Sequence, residues 1–493
     1  MTTAAARRIG IALLAVAALV GPVRGAEDPA AAGSRLLEKR HYAEAIAALR
    51  PVAAAARPGA GGRPLLALGV AYVRNAELHR ALHRTAVAVR LDYLKRLASE
   101  RTSGLAALSL GETLLAAGRP REATGYLERY VVKAGRKTRD GAVAAIDLAL
   151  CRHREGKTAE ARTILAGVDA ADPEVLAELA AARARVGAAD ARSADDALAA
   201  LGRPGKKPSA RALKDVALAY ALAGQVDKGI DLVARANLAD FFREETLAKN
   251  KTIRFYDPFL LNDLATLYLS AGIAALEKAA ADPTVRDAAE YALGEAYALA
   301  GRADASAKAL EAVARAARMP AGYKDRAAAR QAANRYAAGA RPEALRTWEE
   351  LSRKGPADAE LLAEIVAACD RAGAPCDAIA GRAAAAAEAG DGRRFRALRF
   401  ALGRHFLVRG QPAGALAQLE AARDKGNKNK IEANDPGLLA DLAEGYYRTR
   451  KYSEAQEIHF ELGKQFPAVR QIQDALQGIY AREQKSAGDV RIL

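Results

Sequence analysis

A small set of residues recurs at fixed offsets inside Ala-rich stretches of this chain. It reads Leu442, Ala443, Tyr446, Tyr452, Ala455, Leu462 and Pro467 in one place. Elsewhere it reads Leu293, Gly294, Tyr297, Gly301, Leu310, Val313 and Pro320, and earlier Leu68, Gly69, Tyr72, Ala81 and Ala88. A frame of about 34 residues with this spacing describes a helix-turn-helix unit that cannot bury its apolar face alone, so several units must stack. The composition agrees. Hydrophobic residues make up 51% of the chain but aromatics only 5%, and alanine both favours helix and lets helices approach closely.

The frame also assigns steric roles. Gly33, Gly69, Gly111, Gly294 and Gly403 stand where a second helix would cross the first. Ala45, Ala81, Ala123, Ala161, Ala415 and Ala455 take the matching place on that second helix, with Leu49, Leu127, Leu165, Leu310 and Leu419 filling the gap beside them. Gly118, Gly156, Gly224, Gly301, Gly339, Gly373 and Gly410 fall at the expected helix C-caps. The tyrosine position of the frame runs through Leu36, Tyr72, Leu114, Arg152, Tyr220, Tyr268, Tyr297, Tyr336, Phe406, Tyr446 and Tyr480. Steps near 186 and 370 lack a match.

These residues resemble the tetratricopeptide repeat family. The resemblance implies an all-α fold, an α-solenoid with a right-handed superhelix of roughly eleven to twelve helical hairpins, and a non-catalytic scaffold that binds protein or peptide partners. In that family the first helices of successive units line a concave groove, which here would present Arg63, Arg74, Glu112, Arg211, Lys214, Glu295, Arg404, Glu444, Tyr447 and Arg448. The family's set of Lys and Asn residues that clamps a peptide carboxylate is not met: Lys214 matches one position, but Leu218 stands where its asparagine is required.

Residues 1–26 have the form of a secretory signal. Arg7 and Arg8 precede an apolar run from Ile9 to Val20, and Gly25 and Ala26 offer a cleavage site. The run is short for a membrane span, which takes roughly 20 residues, so the mature chain is expected to be exported, periplasmic or envelope-associated, without a transmembrane span. Beyond the leader the frame suggests a first array over 27–190, a linker or degenerate repeat over 191–210, and a second array over 211–493. Three cysteines exclude a disulfide framework. Cys369 and Cys376 flank one hairpin turn, and two outcomes stay open: a single staple or two buried thiols.

Formal net charge is +16, or +13 once Arg7, Arg8 and Arg24 are removed. Such a surface suits acidic partners, anionic glycans or lipid headgroups, and peripheral association with a membrane through Arg- and Lys-rich patches is the alternative reading. Arg393, Arg394, Arg396 and Arg399, with Lys425, Lys428 and Lys430 after them, form one such patch. It lacks the interleaved aromatics of a nucleic-acid reader.

No phosphate loop, nucleophile elbow or zinc spacing occurs in the sequence, and no cofactor or metal site is expected. The densest aromatic group of the chain, Phe241, Phe242, Phe255, Tyr256 and Phe259, lies in an insertion or lengthened hairpin at 238–262. Two roles are open to it: partner anchors, or filling where the stacking is interrupted.

Overall fold

The structure is a computed structural model that describes residues 28–55, 61–98, 104–135, 137–202, 208–235, 242–248, 251–354, 358–390, 393–423 and 435–465. The expected leader at 1–26 lies outside the described residues, as do Phe241, Tyr480, Lys425, Lys428 and Lys430. The fold is all-α, with 22 helices among the described residues and a single two-stranded insertion. The first hairpin joins α1 (Pro29–Glu38) to α2 (Tyr42–Ala55), and a long helix α3 (Gly62–Ala98) follows. The next four hairpins are α4 (Gly104–Ala116) with α5 (Pro120–Ala134), α6 (Arg139–Arg154) with α7 (Thr158–Ala166), α8 (Pro173–Arg185) with α9 (Ala191–Leu201), and α10 (Ala210–Leu222) with α11 (Val226–Arg235). Strands β1 (Phe242–Ala248) and β2 (Lys251–Tyr256) lead into a second long helix, α12 (Leu260–Ala280). Five more hairpins follow: α13 (Arg286–Leu299) with α14 (Ala303–Arg315), α15 (Ala321–Ala337) with α16 (Arg341–Lys354), α17 (Ala359–Ala372) with α18 (Asp377–Ala389), α19 (Arg393–Val408) with α20 (Pro412–Ala422), and α21 (Pro436–Arg448) with α22 (Tyr452–Gln465).

Local chemistry sets where these helices start and stop. Asp28, Thr138, Asp172, Asp190, Ser209, Asp358 and Asp435 cap N-termini through side-chain oxygens. The seven expected C-cap glycines all have positive φ, and Arg40 and Arg450 adopt the same left-handed conformation in their turns, at 63° and 61°. Within hairpins the crossing is tight. A Cβ added at Gly33 would lie 2.5 Å from Leu49 Cγ, at Gly111 2.8 Å from Leu127 Cδ2, at Gly294 2.4 Å from Leu310 Cδ2, and at Gly403 2.5 Å from Leu419 Cγ. Only a residue without a side chain lets these leucines reach the first helix, which is the role the sequence assigns to them.

The described residues form two compact units, one of His79–Ala271 and one that combines those from Asp28 to Leu78 with those from Gly272 onward. The second unit is therefore discontinuous in sequence. Its Gly69 does not meet a leucine of its own hairpin. The Cβ it lacks would lie 2.6 Å from Leu276 Cγ on α12, while Gly272 abuts Val73 and Tyr72. The Gly62 amide likewise donates to Asp282 Oδ2, 220 residues away.

This corrects the expected placement of Ala81 on a second helix, since α3 runs through it without a turn. The turn position four residues after Tyr72 holds Ala76, which gives no left-handed stop. In α12 the equivalent residue is Gly272, and its lack of a side chain serves close approach to α3 instead. In the first unit, His79 of α3 packs against Tyr268 of α12 with ring centroids 5.2 Å apart.

The two unmatched steps of the frame are regular hairpins. Ala194, Ala197 and Leu201 of α9 share a core with Ala177 and Ala180 of α8 and Val216 and Tyr220 of α10, so packing continues through 191–201. Cys369 and Cys376 are joined by a disulfide, with Cα atoms 6.2 Å apart, across the α17–α18 turn. The insertion is a β-hairpin, which the repeat frame did not anticipate. Phe242 pairs with Tyr256 and Arg243 with Phe255, and the register shifts between Thr246 and Ala248. The β-branched and aromatic run Thr252, Ile253, Phe255, Tyr256 favours strand locally.

Candidate partner-binding surface

Charged side chains on the first helices of successive hairpins engage one another rather than standing free. In the discontinuous unit Arg74 of α3 donates to Glu77 at 2.5 Å and to Glu295 of α13 at 3.1 and 3.3 Å, across 221 residues of chain. Glu295 lies 3.5 Å from Arg330 of α15, which donates twice to Glu364 of α17 at 2.9 Å. Arg371 completes the line at 2.9 Å from Glu364. Burial raises the Glu364 carboxyl, but Arg330 and Arg371 outweigh it and hold the group well below the usual carboxylate range. The same unit pairs Arg404 of α19 with the fully buried Asp441 of α21 at 2.7 Å, and Arg448 with Glu444 at 2.6 Å. A cavity of about 450 Å³ is lined there by Tyr42, Arg74, Phe400, Arg404 and Asp435.

The first unit carries a denser cluster. Lys214 of α10 is 3% exposed, and its Nζ lies 2.6 Å from Asp257, 2.8 Å from Asp263 and 3.1 Å from Asp215. Burial works against the charge, yet these three carboxylates raise the Lys214 pKa above its ordinary value. Arg185 of α8 also holds Asp263, and Arg211 of α10 holds Glu178 at 3.2 Å with Glu112 at 3.8 Å. Burying such ions is expensive unless each finds a partner.

Beside this cluster, α4, α6, α8 and α10 enclose a cavity of about 260 Å³. Its polar lining is Glu112, Asp140, Glu174, Glu178 and Asp215 against Arg139 and Arg211, with Ser209 beside them and Leu108, Val143, Val175 and Ala212 as apolar wall. Burial raises the Glu178 carboxyl to about 7 despite Arg211. Burial also raises Asp215. The first-helix face is thus acidic here, although the chain as a whole is basic.

The residues expected to meet a partner fall into distinct settings. Arg63 is exposed near the start of α3. Arg74 of α3, Arg211 of α10 and Arg404 of α19 each already hold a carboxylate. Lys214 and Tyr447 are corrected from groove to interior: Lys214 is enclosed by its three aspartates, and Tyr447 is 5% exposed with its ring 5.6 Å from that of Tyr452. Of the aromatic group, Phe259 is buried at the head of α12, while Phe242, Phe255 and Tyr256 lie on the two strands. His83, near no metal ligand set, contacts the Ala116 carbonyl at 3.0 Å.

A second recurrence, not part of the frame above, runs through the same units. An aspartate stands five residues before the tyrosine position in four units, as Asp147, Asp215, Asp263 and Asp441. All four are almost fully buried. Among the described residues no group of three or more His, Cys, Asp or Glu is arranged to hold a metal ion, and no helix is long and apolar enough to cross a membrane.

Paired helices that cross at Gly–Leu contacts, joined by left-handed turns and linked through their first helices, define the class: an all-α helical-repeat protein with tetratricopeptide-like hairpins. No family model and no curated protein sequence matches the chain. Similar solved structures include yeast Tom70, at 11% identity over 93% of this chain and 96% of that one, with a TM-score of 0.33. Another is a tetratricopeptide repeat protein from Parabacteroides merdae ATCC 43184, at 13% identity over 68% and 98%, TM-score 0.24. A third is the APC/C hetero-tetramer Cut9-Hcn1, at 12% identity over 92% and 89%, TM-score 0.29.

Proposed function

We propose that this chain is a non-catalytic scaffold of the bacterial periplasm or envelope that binds protein or peptide partners on the first-helix faces of its hairpins. The observation that carries the reading is the cavity of the first unit, where first helices from four consecutive hairpins bring convergent polar groups to one place. Stacked repeats offer extended surfaces of this kind. Export is supported by the form of residues 1–26 and by the Cys369–Cys376 disulfide, since such bonds persist in oxidising compartments. The system it serves would be an export, polysaccharide-secretion or motility apparatus.

The alternative, an anionic glycan or lipid surface, asks for cations free to engage it. The first-helix cations Arg74, Arg211, Lys214 and Arg404 are already committed to carboxylates, so such a ligand would fall to other patches of the chain. The test is photo-crosslinking in intact cells from a reactive residue at Asp140 or Glu174. A discrete adduct with an envelope protein is the expected result. Fractionation with cytoplasmic markers, or crosslinks indistinguishable from those of an exposed position such as Arg315, would refute the reading.

A further inference from the structure

Asp147 is the exception among the four recurrent aspartates. Asp441 holds Arg404, Asp263 holds Arg185 and Lys214, and Asp215 holds Lys214. Asp147 is 1% exposed, and its Oδ2 has no hydrogen-bond partner. It lies on α6 in the same stripe as Asp140 and Val143, both in the cavity wall, at the i, i+3, i+7 spacing that shares one helix face. Burial raises the Asp147 carboxyl, Glu112 and Glu178 in that wall act in the same direction, and the opposing pull of Arg211 and Arg185 does not offset them.

The carboxylates around the cavity outnumber its guanidiniums. Arg139 is drawn off to Glu174, and Arg211 is shared between Glu178 and Glu112. An unmatched buried carboxylate is costly, so burial holds the Asp147 carboxyl well above the usual carboxylate range and it keeps its proton until a cation joins it.

We propose that the cavity walled by α4, α6, α8 and α10 is a receptor for one ammonium or guanidinium group, with Glu174 in its wall and Asp147 one helical turn beyond Val143 on the same face of α6. The inference rests on the partner-binding reading above and names the chemistry it selects: a Lys or Arg side chain of a basic peptide, or a free polyamine. The volume agrees. About 260 Å³ falls below the roughly 300–1,000 Å³ of sites for drug-sized ligands and suits a single extended side chain. The apolar wall of Leu108, Val143, Val175 and Ala212 would take the methylene stem while the carboxylates take the head. The net positive charge of the chain disfavours indiscriminate uptake of cations elsewhere on the surface.

The test titrates the full mature chain with a capped hexa-arginine peptide, a capped hexa-glutamate peptide and spermidine, followed by calorimetry. Binding of the arginine peptide or of spermidine, but not of the glutamate peptide, is expected. Affinity should fall at least about tenfold in Asp147→Asn and in Glu174→Gln, and rise in Arg139→Gln, which removes a competing cation. Thermal stability of Asp147→Asn should be equal to or above that of the wild type, because a purely structural carboxylate would lose stability on neutralisation. Which probe binds identifies the source, peptide or polyamine.

The proposal is overturned if neither cation binds more tightly than about 1 mM, or if Asp147→Asn and Glu174→Gln leave the affinity unchanged. Loss of crosslinks in cells with probe binding intact would count against the envelope role and not against the receptor.

Discussion

The Gly–Leu crossing makes a sign prediction for one substitution at two positions. Gly381 sits mid-way along α18, exposed, with nothing within 4 Å of the Cβ it lacks. Gly381→Ala should therefore stabilise by about 0.5–1 kcal/mol, the ordinary helix-propensity gain. Gly294 is also mid-helix, but its new Cβ would fall 2.4 Å from Leu310 Cδ2 and 2.6 Å from Leu310 Cγ. Carbon atoms prefer about 3.5–4.0 Å. Leu310 cannot withdraw easily, since it is 1% exposed in a core with Val313 and Ala327. Overpacking of this kind costs about 1–3 kcal/mol, which outweighs the propensity gain.

Gly294→Ala should thus lower stability while Gly381→Ala raises it, a spread of about 1–3 kcal/mol. Leu310→Ala alone should cost about 2–5 kcal/mol. In that background Gly294→Ala should change sign and become favourable, because the obstructing atoms are gone. Urea unfolding followed by circular dichroism, with m-values compared across the set, measures all four variants against the wild type. If Gly294→Ala stabilises the wild type as much as Gly381→Ala does, the crossing argument is wrong.

Lys214→Met removes the cation that Asp215, Asp257 and Asp263 share, leaving Asp263 to Arg185 and Asp257 to Arg211 at 4.0 Å, and should cost about 3–5 kcal/mol by the same urea assay; a loss under about 1 kcal/mol would show that the triad is solvated. Protein unfolded without reductant should expose one thiol, Cys151, and three after reduction. The folded protein should expose none, since burial pushes Cys151 up to about 12. Three thiols before reduction would disprove the staple, whose loss in Cys369→Ser/Cys376→Ser should cost about 2 kcal/mol. Burial raises Glu178 from 4.5 to about 7, so the folded state keeps a proton that the unfolded state has lost between those values. The stability due to this group is complete below about pH 4.5 and lost as pH rises through 7. Wild-type stability relative to Glu178→Gln should therefore decline across that window, and a flat or rising difference would refute the assignment.

The hairpins were legible because their signals are local and steric: Gly33, Gly111, Gly294 and Gly403 each find a leucine sixteen residues on, and each turn carries its left-handed residue. The long helices were not, because the frame assumes that neighbours in sequence are neighbours in space. Ala76 in the turn position of α3 was the visible warning, and no local signal links Gly69 to Leu276. Bulk charge misled in a similar way. The chain carries +16, yet its first-helix cations pair with carboxylates from neighbouring repeats, and the cavity they leave is acidic. The aspartate five residues before the tyrosine position in four units was readable, but buried polar residues look like solvated ones in a sequence until packing is known.

The discontinuous unit is tested most directly by oxidative trapping of Gly69→Cys with Leu276→Cys in a Cys151→Ala background. Gly294→Cys with Leu310→Cys serves as the matched pair, because in both the glycine Cβ would lie 2.6 Å from the leucine Cγ. Both pairs should crosslink to a similar extent under mild oxidation. A protein that traps the 294–310 pair but never the 69–276 pair would contradict the account.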